Sequence, residues 1–266
     1  MKIYNYGKFI TENKIERLYF VMDYAEQEDL LHYIKVNRGL GEKFGKILFK
    51  KILERIQFCH NCNYCHFDIK VSNILLDKKF NPIIIDFGLS QPIKYSDKDE
   101  LIPYKGTRGT PNIMCPQMFE KEKTYNGIDA DIFALGVLLF HLVFGLPCFS
   151  SAEGVSYQYI KKKNYDDFWK RKSQTVGATD KFKNLFQQMV AYNPEERPRL
   201  NVILAKNPWL LDNKKSEDEY VAFMKEIEQK IKESNQPNIQ VPNKDIGEEK
   251  QATKGISFDN QTKNFY

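Results

Sequence analysis

The spacing of apolar residues predicts short strands near the start of the chain and helices over most of the rest. Residues 18–25, LYFVMDYA, are rich in aromatic and β-forming side chains, which is typical of a strand. The next residues, EQEDLLHYI, change to helical spacing. Residues 43–60 repeat apolar side chains every three or four positions, which predicts an amphipathic helix. One strand followed by two helical segments is therefore expected.

Two short apolar runs, NILLD and PIIID, come next and predict the two strands of a β-hairpin. The four residues between them, KKFN, form its connection. A long loop is expected from Gly88 to about Gln117, because Gly106, Gly109 and Pro111 interrupt any regular pattern.

The second half of the chain is predicted to be helical. Residues 128–144, IDADIFALGVLLFHLVF, are apolar on nearly every side, as expected of a helix at the centre of a core. Another helix is predicted over residues 181–190, and a final pair of helices over residues 196–210.

A charged segment over residues 216–233 carries apolar side chains at helical spacing, namely Tyr220, Phe223, Ile227 and Ile231. Two interpretations are open. The segment is a C-terminal helix docked on the domain, or it is a helix that binds a partner protein. From Asn235 onward polar residues dominate, and disorder is expected.

Composition and charge narrow the class of protein. Of the 266 residues, 42% are apolar, which is a globular composition with enough material for a domain and a tail. The net charge of +5 is small for this length and argues against a dedicated nucleic-acid binder. The start of the chain is too polar for a secretory signal. The longest apolar run, Phe133–Phe149, contains His141 and is too short to span a membrane. The five cysteines lack the spacing of a disulfide framework, so an intracellular, cytoplasmic location is expected.

The candidate chemistry lies in HFDIKVSN at residues 66–73 and in DFG at residues 86–88. The first motif gathers a base, a cation and an amide, and the predicted hairpin returns the second carboxylate beside them. Phosphoryl transfer needs such a set, because positioning and electrostatic stabilisation supply most of its catalysis. Magnesium prefers hard oxygen ligands of this kind.

In this order and spacing, over about residues 4–210, these motifs resemble those of the eukaryotic Ser/Thr protein kinases. HFDIKVSN is similar to the kinase catalytic loop H-R-D-x-K-x-x-N, and DFG is a signature of the same family. The resemblance implies an enzyme that uses ATP and Mg²⁺ to phosphorylate Ser or Thr in a protein substrate. It implies that Asp68 accepts the hydroxyl proton and that Lys70 neutralises the transferring phosphoryl group. It also implies that Asn73 and Asp86 hold Mg²⁺.

The same resemblance implies an ATP site upstream of the catalytic loop. Residues 21–25 look like the hinge between two kinase lobes, with Met22 at its mouth. Backbone groups of Asp23 and Ala25 would contact adenine. Asp29 would reach the ribose, and Leu75 would form the floor of the adenine pocket.

Further residues would support these loops. By resemblance, Thr110 lines the peptide-binding loop, and His66 and Phe87 are structural residues of the two motifs. Asp131, which opens DIFALG, would anchor the catalytic loop from the central helix.

Three positions depart from the kinase pattern, of which Phe133 only replaces one large aromatic residue, tryptophan, by another. Phe67 replaces the arginine that in the family binds a phosphate on the activation loop, so phosphorylation at Thr107 or nearby is not expected to switch this protein. Gln117 replaces a glutamate, so its expected contact with Arg197 lacks the charge of an ion pair.

The resemblance implies an α+β fold, mainly the helical C-terminal lobe of a kinase with the last small-lobe strands and the hinge. Residues 1–25 would be the small-lobe remnant and hinge, residues 26–211 the large lobe, and residues 212–266 a C-terminal helix and tail. A glycine-rich ATP loop and its strand lysine are not found. Either the natural chain extends before Met1, or the chain is a truncated pseudokinase that acts as a protein-binding scaffold.

A metal site is the competing hypothesis. Cys59, Cys62 and Cys65 recur every three residues, and the last two match the C-x-x-C-H haem pattern with His66. Zinc would need a fourth ligand, for which His60 is the nearby candidate. Small buried thiols at the end of a helix are the simpler interpretation.

Overall fold

The computed structural model describes residues 3–25, 27, 29–120, 123–172, 175, 177–212 and 215–234. The tail from Asn235, for which disorder is expected, lies outside the described residues, as do residues 26 and 28 beside the expected hinge. The described strands are β1 Ile3–Ile10, β2 Glu16–Met22, β3 Tyr64–Cys65, β4 Ile74–Leu76, β5 Pro82–Ile84, β6 Gln91–Pro92, β7 Tyr104–Lys105 and β8 Thr124–Tyr125. The described helices are α1 Leu30–Asn37, α2 Gly41–Asn61, α3 Gly127–Phe144, α4 Val155–Lys161, α5 Tyr165–Lys170, α6 Asp180–Met189, α7 Leu200–Lys206, α8 Pro208–Leu211 and α9 Glu217–Ser234.

Helix α3 is the centre of the core, as the sequence predicts. Its start is capped by Asn126, whose side-chain oxygen accepts the Ile128 N–H, and it ends at Gly145 with φ +78°. By length and composition it could cross a membrane, but 83% of its most apolar window is buried inside the protein. The α2 and α6 helices pack on it. A buried core helix is therefore the interpretation that the structure supports.

The glycines before α2 allow its start to approach the end of α3. Gly39 has φ +96°, and a Cβ on it would lie 2.4 Å from the Val143 carbonyl oxygen. The Leu40 N–H donates to the Leu142 carbonyl at 2.9 Å. Only a residue without a side chain fits at position 39, so this glycine lets the start of α2 lie against the end of α3.

The predicted hairpin forms from β4 and β5, which pair antiparallel with Ile74 opposite Ile84. Its turn is organised by Asp77, whose carboxylate accepts the N–H groups of Lys79 and Asn81, each at 2.8 Å. This register brings residue 73 and residue 85 together at the open end of the hairpin, which is where the candidate chemistry lies.

The β1–β2 hairpin extends the predicted strand with a partner that the sequence reading missed. Ile10 lies opposite Glu16, and the turn between them places Lys14 at φ +59°. All residues of β2 are exposed. Ile3–Ile10 is rich in β-forming side chains, and that composition was the signal for β1.

Helix α9 docks on the domain through its apolar face. Tyr220, Met224, Ile227 and Ile231 are buried, and the Phe223 ring stacks on Phe44 at 4.1 Å. The docked interpretation is thus confirmed for that face, and a partner of this helix would have to contact its charged side.

The long loop after Gly88 is less irregular than predicted. It contains the two-residue strands β6 and β7, which pair with β3 and β8. These pairings lie far apart in the chain, so local sequence patterns do not indicate them.

Candidate active site

Asp131 organises the backbone of the catalytic loop from α3. One of its carboxylate oxygens accepts the Phe67 N–H at 2.8 Å, and the other accepts the His66 N–H at 2.8 Å. His60 contacts the second oxygen through Nε2 at 2.9 Å. The carboxylate is fully buried, so these contacts replace the water that it gives up. The anchoring role that the resemblance assigns to Asp131 matches this geometry.

His66 links the catalytic loop to the strand before DFG. Its Nδ1 accepts the Asp68 N–H at 3.2 Å, and its Nε2 lies 3.0 Å from the Ile85 carbonyl oxygen. A ring that accepts at Nδ1 and contacts a carbonyl at Nε2 carries its proton on Nε2. The His66 ring also packs 4.8 Å from the ring of Phe87. The two motifs that are separate in the sequence are therefore joined by one buried side chain.

Asp68 lies at the centre of a compact polar cluster. Its Oδ1 accepts the Thr110 hydroxyl at 2.6 Å and the Thr110 N–H at 3.0 Å. Its Oδ2 lies 2.8 Å from the Lys70 ammonium and accepts the Asn73 amide at 2.9 Å. Burial raises the pKa of Asp68, but the hydrogen bonds from Lys70, Thr110 and Asn73 and the Lys70 charge lower it more, so its pKa lies below the ordinary value.

Lys70 bridges the catalytic loop and the segment around Thr110. Its ammonium donates to the Thr110 hydroxyl at 2.8 Å, and the same hydroxyl donates onward to Asp68. Thr110 thus accepts from the cation and donates to the carboxylate. This arrangement keeps a positive charge at the cluster, where a phosphoryl group would need it.

Asn73 and Asp86 offer hard oxygen ligands for a magnesium ion. The Ile85 N–H donates to the Asn73 carbonyl at 3.0 Å, which ties the two segments together. Among the described residues, the hydrogen bonds of the Asn73 side chain are made by its amide nitrogen, so its amide oxygen points to no protein donor. Asp86 has a left-handed backbone, with φ +61°. The chemistry of this donor set suits Mg²⁺, which is held by few protein oxygens.

The structure brings together only part of the expected nucleotide site. Asp29 and Leu75 pair in a β-bridge, and the Asp29 carboxylate caps α1 by accepting the His32 N–H at 2.9 Å. Met22 and Asp23 lie at the exposed end of β2, and Ala25 is half-buried. The nucleotide roles of these residues stay predictions.

Arg197 makes the expected contact with Gln117. Its guanidinium donates to the Gln117 amide oxygen at 3.0 Å, and the Gln117 amide nitrogen donates to the Tyr192 carbonyl at 2.6 Å. The amide therefore accepts and donates at once, which a carboxylate could not do.

The cysteine cluster departs from the expectation of buried thiols. Cys65 is buried, but Cys59 is half-buried and Cys62 is exposed, because Cys62 lies at the end of α2. Candidate ligand atoms of His60, Cys65 and Asp131 lie within 4.8 Å of one another. Burial and the Asp131 charge raise the pKa of the Cys65 thiol, and Asp131 already accepts from the catalytic loop. A network that holds the loop explains this group better than a metal site.

Sequence reasoning missed the surroundings of Phe67. This ring is buried against Tyr104 at 5.1 Å, and the Arg108 guanidinium lies 5.5 Å from its centre. The available signal was an aromatic residue in place of a cation, since a buried ring packs favourably against other rings or a cation.

Comparison with known proteins agrees with this geometry. The protein kinase domain family matches residues 1–210. The chain is 29% identical over 194 residues to the probable serine/threonine-protein kinase MARK-B of Dictyostelium discoideum, covering 73% of this chain and 26% of that protein. It is 27% identical over 227 residues to testis-specific serine/threonine-protein kinase 2 of Mus musculus, covering 84% and 61%. It is 30% identical over 200 residues to NUAK family SNF1-like kinase 1 of Homo sapiens, covering 75% and 28%.

The match spans less than two thirds of the length of each of these relatives. Over the matched residues, the family assignment and the cluster around Asp68 point the same way. The chain belongs to the eukaryotic Ser/Thr protein kinase family.

Proposed function

We propose that this chain transfers the γ-phosphate of ATP to a Ser or Thr hydroxyl of a protein substrate, with Mg²⁺ as the metal. The observation that carries the proposal is the cluster in which Thr110, Lys70 and Asn73 all contact the Asp68 carboxylate. The lowered pKa keeps the Asp68 carboxylate ionised at neutral pH, so it can accept a hydrogen bond from the substrate hydroxyl and orient it.

Each residue of the cluster has a part in the reaction. Asp68 orients the acceptor hydroxyl and takes its proton, while Lys70 stabilises the negative charge that develops on the phosphoryl group. Asn73 and Asp86 would hold the metal ion, which supplies charge neutralisation at the phosphates when it is bound.

A cavity beside the cluster suits a side chain of a protein substrate. Its volume is about 280 Å³, and Lys70 and Thr110 line one part of it. The other lining residues include Leu31, Val137 and Pro147. The cavity therefore places apolar surface beside Lys70 and Thr110, where it could receive a side chain that flanks the acceptor hydroxyl.

The test is phosphate transfer by the purified 266-residue chain from radiolabelled Mg²⁺-ATP to a library of Ser- and Thr-containing peptides. Asp68→Asn and Asp86→Asn should each lower transfer by at least a hundredfold, while an exposed loop control, Asp97→Asn, should leave it unchanged. Phosphate transfer by Asp68→Asn at the wild-type rate would show that Asp68 does not have its assigned role.

Thermal unfolding with Mg²⁺-ATP gives a second measurement that does not need a peptide. A ligand at 100 times its Kd stabilises the folded state by about 2.7 kcal/mol, which shifts the melting temperature measurably. Stabilisation that is present in wild type and lost in Asp86→Asn would support the nucleotide and metal site.

A protein-binding scaffold is the second candidate function. It is favoured by the exposed apolar side chains of the β1–β2 hairpin, including Leu18, Phe20 and Tyr6. This candidate predicts neither transfer nor stabilisation by Mg²⁺-ATP, so the same two measurements separate the alternatives.

A further inference from the structure

Three successive residues, Arg108 to Thr110, contact the catalytic loop. The Arg108 guanidinium lies 5.5 Å from the centre of the Phe67 ring and 5.9 Å from that of Tyr104. Gly109 approaches the Phe67 carbonyl so closely that a Cβ on it would lie 2.3 Å from the oxygen. Thr110 then donates both its N–H and its hydroxyl to the Asp68 carboxylate. A single residue therefore separates Arg108 from the N–H and hydroxyl groups of Thr110 that donate to the Asp68 carboxylate.

The site around Phe67 is shaped for an aromatic ring. Tyr104 and Tyr125 meet that ring edge-on, with centroids at 5.1 Å and 6.3 Å. Gly127 leaves the space for it, because a Cβ there would lie 2.8 Å from the Phe67 Cζ. The left-handed backbone of Phe67, with φ +66°, is held by the hydrogen bond of its N–H to Asp131.

The Arg108 guanidinium lies against the rings of Phe67 and Tyr104, and it also acts on the Tyr125 hydroxyl, whose pKa it lowers against the rise that burial causes. Its Nε is buried and has no hydrogen-bond partner among the described residues. The negative face of an aromatic ring stabilises a guanidinium that is partly withdrawn from water. The two rings are those of Phe67, which precedes Asp68, and of Tyr104 in β7.

We propose that Arg108 is a positioning residue, which holds Thr110 against Asp68 through a cation–aromatic contact with Phe67 and does so without a phosphate. In the kinase pattern the catalytic loop carries the cation. Here the loop carries the aromatic ring and the facing segment carries the cation. The inference rests on the proposed function for its kinetic consequence only, since the contact itself is a property of the fold.

Amide hydrogen exchange at Thr110 tests the contact independently of catalysis, because this N–H donates to Asp68. Arg108→Gln should speed exchange at the Thr110 amide by roughly fivefold to tenfold, the change expected from loss of a partly buried cation–aromatic contact. The matched control is Arg171→Gln, which removes a guanidinium 4.8 Å from the Tyr159 ring, far from the site. It should leave Thr110 unchanged.

Transfer kinetics supply the functional readout. Arg108→Gln should lower kcat for peptide substrate by about fivefold or more and leave the KM for Mg²⁺-ATP unchanged, while Arg108→Lys should restore part of both the rate and the protection. If Arg108→Gln does not fold, Arg108→Lys carries the exchange test, with an intermediate loss of protection expected.

The inference is overturned if the Thr110 amide of Arg108→Gln is as protected from exchange as in the wild type. Where Arg108→Gln does not fold, wild-type protection in Arg108→Lys overturns it. Loss of protection in a chain whose wild type transfers no phosphate would overturn the proposed function and uphold the positioning contact. The two failures are therefore distinguishable.

Discussion

Arg197 shows how one side chain can join segments that are distant in the sequence. Its guanidinium donates to the carbonyl oxygens of Ala191 and Asp129, at 2.9 Å and 3.0 Å, in addition to the amide oxygen of Gln117. The planar guanidinium spreads its donors toward three separate acceptors at once. The compact ammonium group of lysine could not reach all three. The side chain is 4% exposed, so each lost hydrogen bond leaves a buried acceptor without a partner.

Arg197→Lys should therefore lower the free energy of unfolding by about 3 kcal/mol. The matched control is Arg199→Lys, because the Arg199 side chain is 49% exposed and makes a single described ion pair, with Asp129, which a lysine ammonium can replace. That control should cost less than about 1 kcal/mol. Equal losses in urea unfolding would show that the buried fork of hydrogen bonds is not what holds these segments together.

Thr107 allows a test of regulation at the scale of one residue. It is exposed, and the loop position that would receive its phosphate is the buried ring of Phe67, which cannot bind an anion. Phosphorylation at Thr107, or Thr107→Glu, should change transfer activity by less than about tenfold. A larger increase on phosphorylation, measured on stoichiometrically modified protein, would contradict this expectation.

At this scale the sequence predicted the reacting set and missed what surrounds it. Asp68, Lys70 and Asn73 were predicted from motif spacing and Thr110 from the family resemblance, and the structure places the other three in contact with Asp68. The contact of Arg108 with Phe67 depends on how a loop forty residues downstream folds back, which no local pattern encodes.

Among the elements, the β4–β5 hairpin has the clearest local cause. Asp77 accepts hydrogen bonds from two backbone N–H groups and from the Asn81 side-chain amide. These bonds replace hydrogen bonds that the carboxylate would otherwise make to water. Burial raises the pKa of Asp77, but the hydrogen bonds from Asn81 and Lys79 and the Lys51 charge lower it more, so its pKa lies below the ordinary value. A lowered pKa means that the ionised carboxylate stabilises the fold above the unfolded pKa of about 3.9. That stabilisation is lost as the pH falls through the lower folded pKa.

Asp77→Ala should cost about 1 to 2 kcal/mol in urea unfolding at pH 7, and the difference from wild type should shrink as the pH falls below about 4. Lys79→Ala is the control, since its backbone N–H makes the contact and its side chain is exposed. A difference for Asp77→Ala that stays constant down to pH 3 would mean that the ionised carboxylate is not the stabilising form.

Helix α9 owes its position to its apolar face. Tyr220 is fully buried, and its hydroxyl donates to the Phe80 carbonyl at 2.8 Å in the turn of the β4–β5 hairpin. Tyr220→Ala should lower the free energy of unfolding by about 3 to 5 kcal/mol, and Tyr220→Phe by about 1 to 2 kcal/mol, because only the hydroxyl is lost. The exposed control Lys225→Ala should have little effect. If Tyr220→Ala unfolds like wild type, the docking of α9 does not contribute to stability.

Element type followed the sequence where one period extends over many residues. The long helices α2 and α3 and the strands β4 and β5 were predicted, because burial of one face, or of all faces, fixes their pattern. The two-residue strands β3, β6, β7 and β8 were not, since they exist only through pairing with distant segments. The short helices α4 and α5 lie in a stretch of mixed polar and aromatic residues without a clear period.

Over the whole molecule, burial is distributed unevenly between the helical core and the β1–β2 hairpin. The core residues belong to the segment from Leu30 onward, and the described residues before it contribute none. The hairpin instead exposes large apolar side chains on both strands, with Leu18 at 67% and Phe20 at 58% exposure. Each strand of this two-stranded sheet also has one edge that no other described strand covers. Apolar surface next to an open edge favours pairing with another chain.

The 266-residue chain should therefore self-associate as its concentration rises, and the hairpin should be the contact. Leu18→Thr combined with Phe20→Thr keeps β-forming residues but removes apolar surface. This variant should reduce association in sedimentation velocity and change the free energy of unfolding by less than about 0.5 kcal/mol for each substitution. The control Val155→Thr removes an apolar side chain that is 80% exposed on α4 and should leave association unchanged. Association that is unaltered in the double variant would place the contact elsewhere. A loss of stability above about 2 kcal/mol would instead show that the hairpin packs on the core, because exposed side chains on an independent hairpin carry little of the folding free energy.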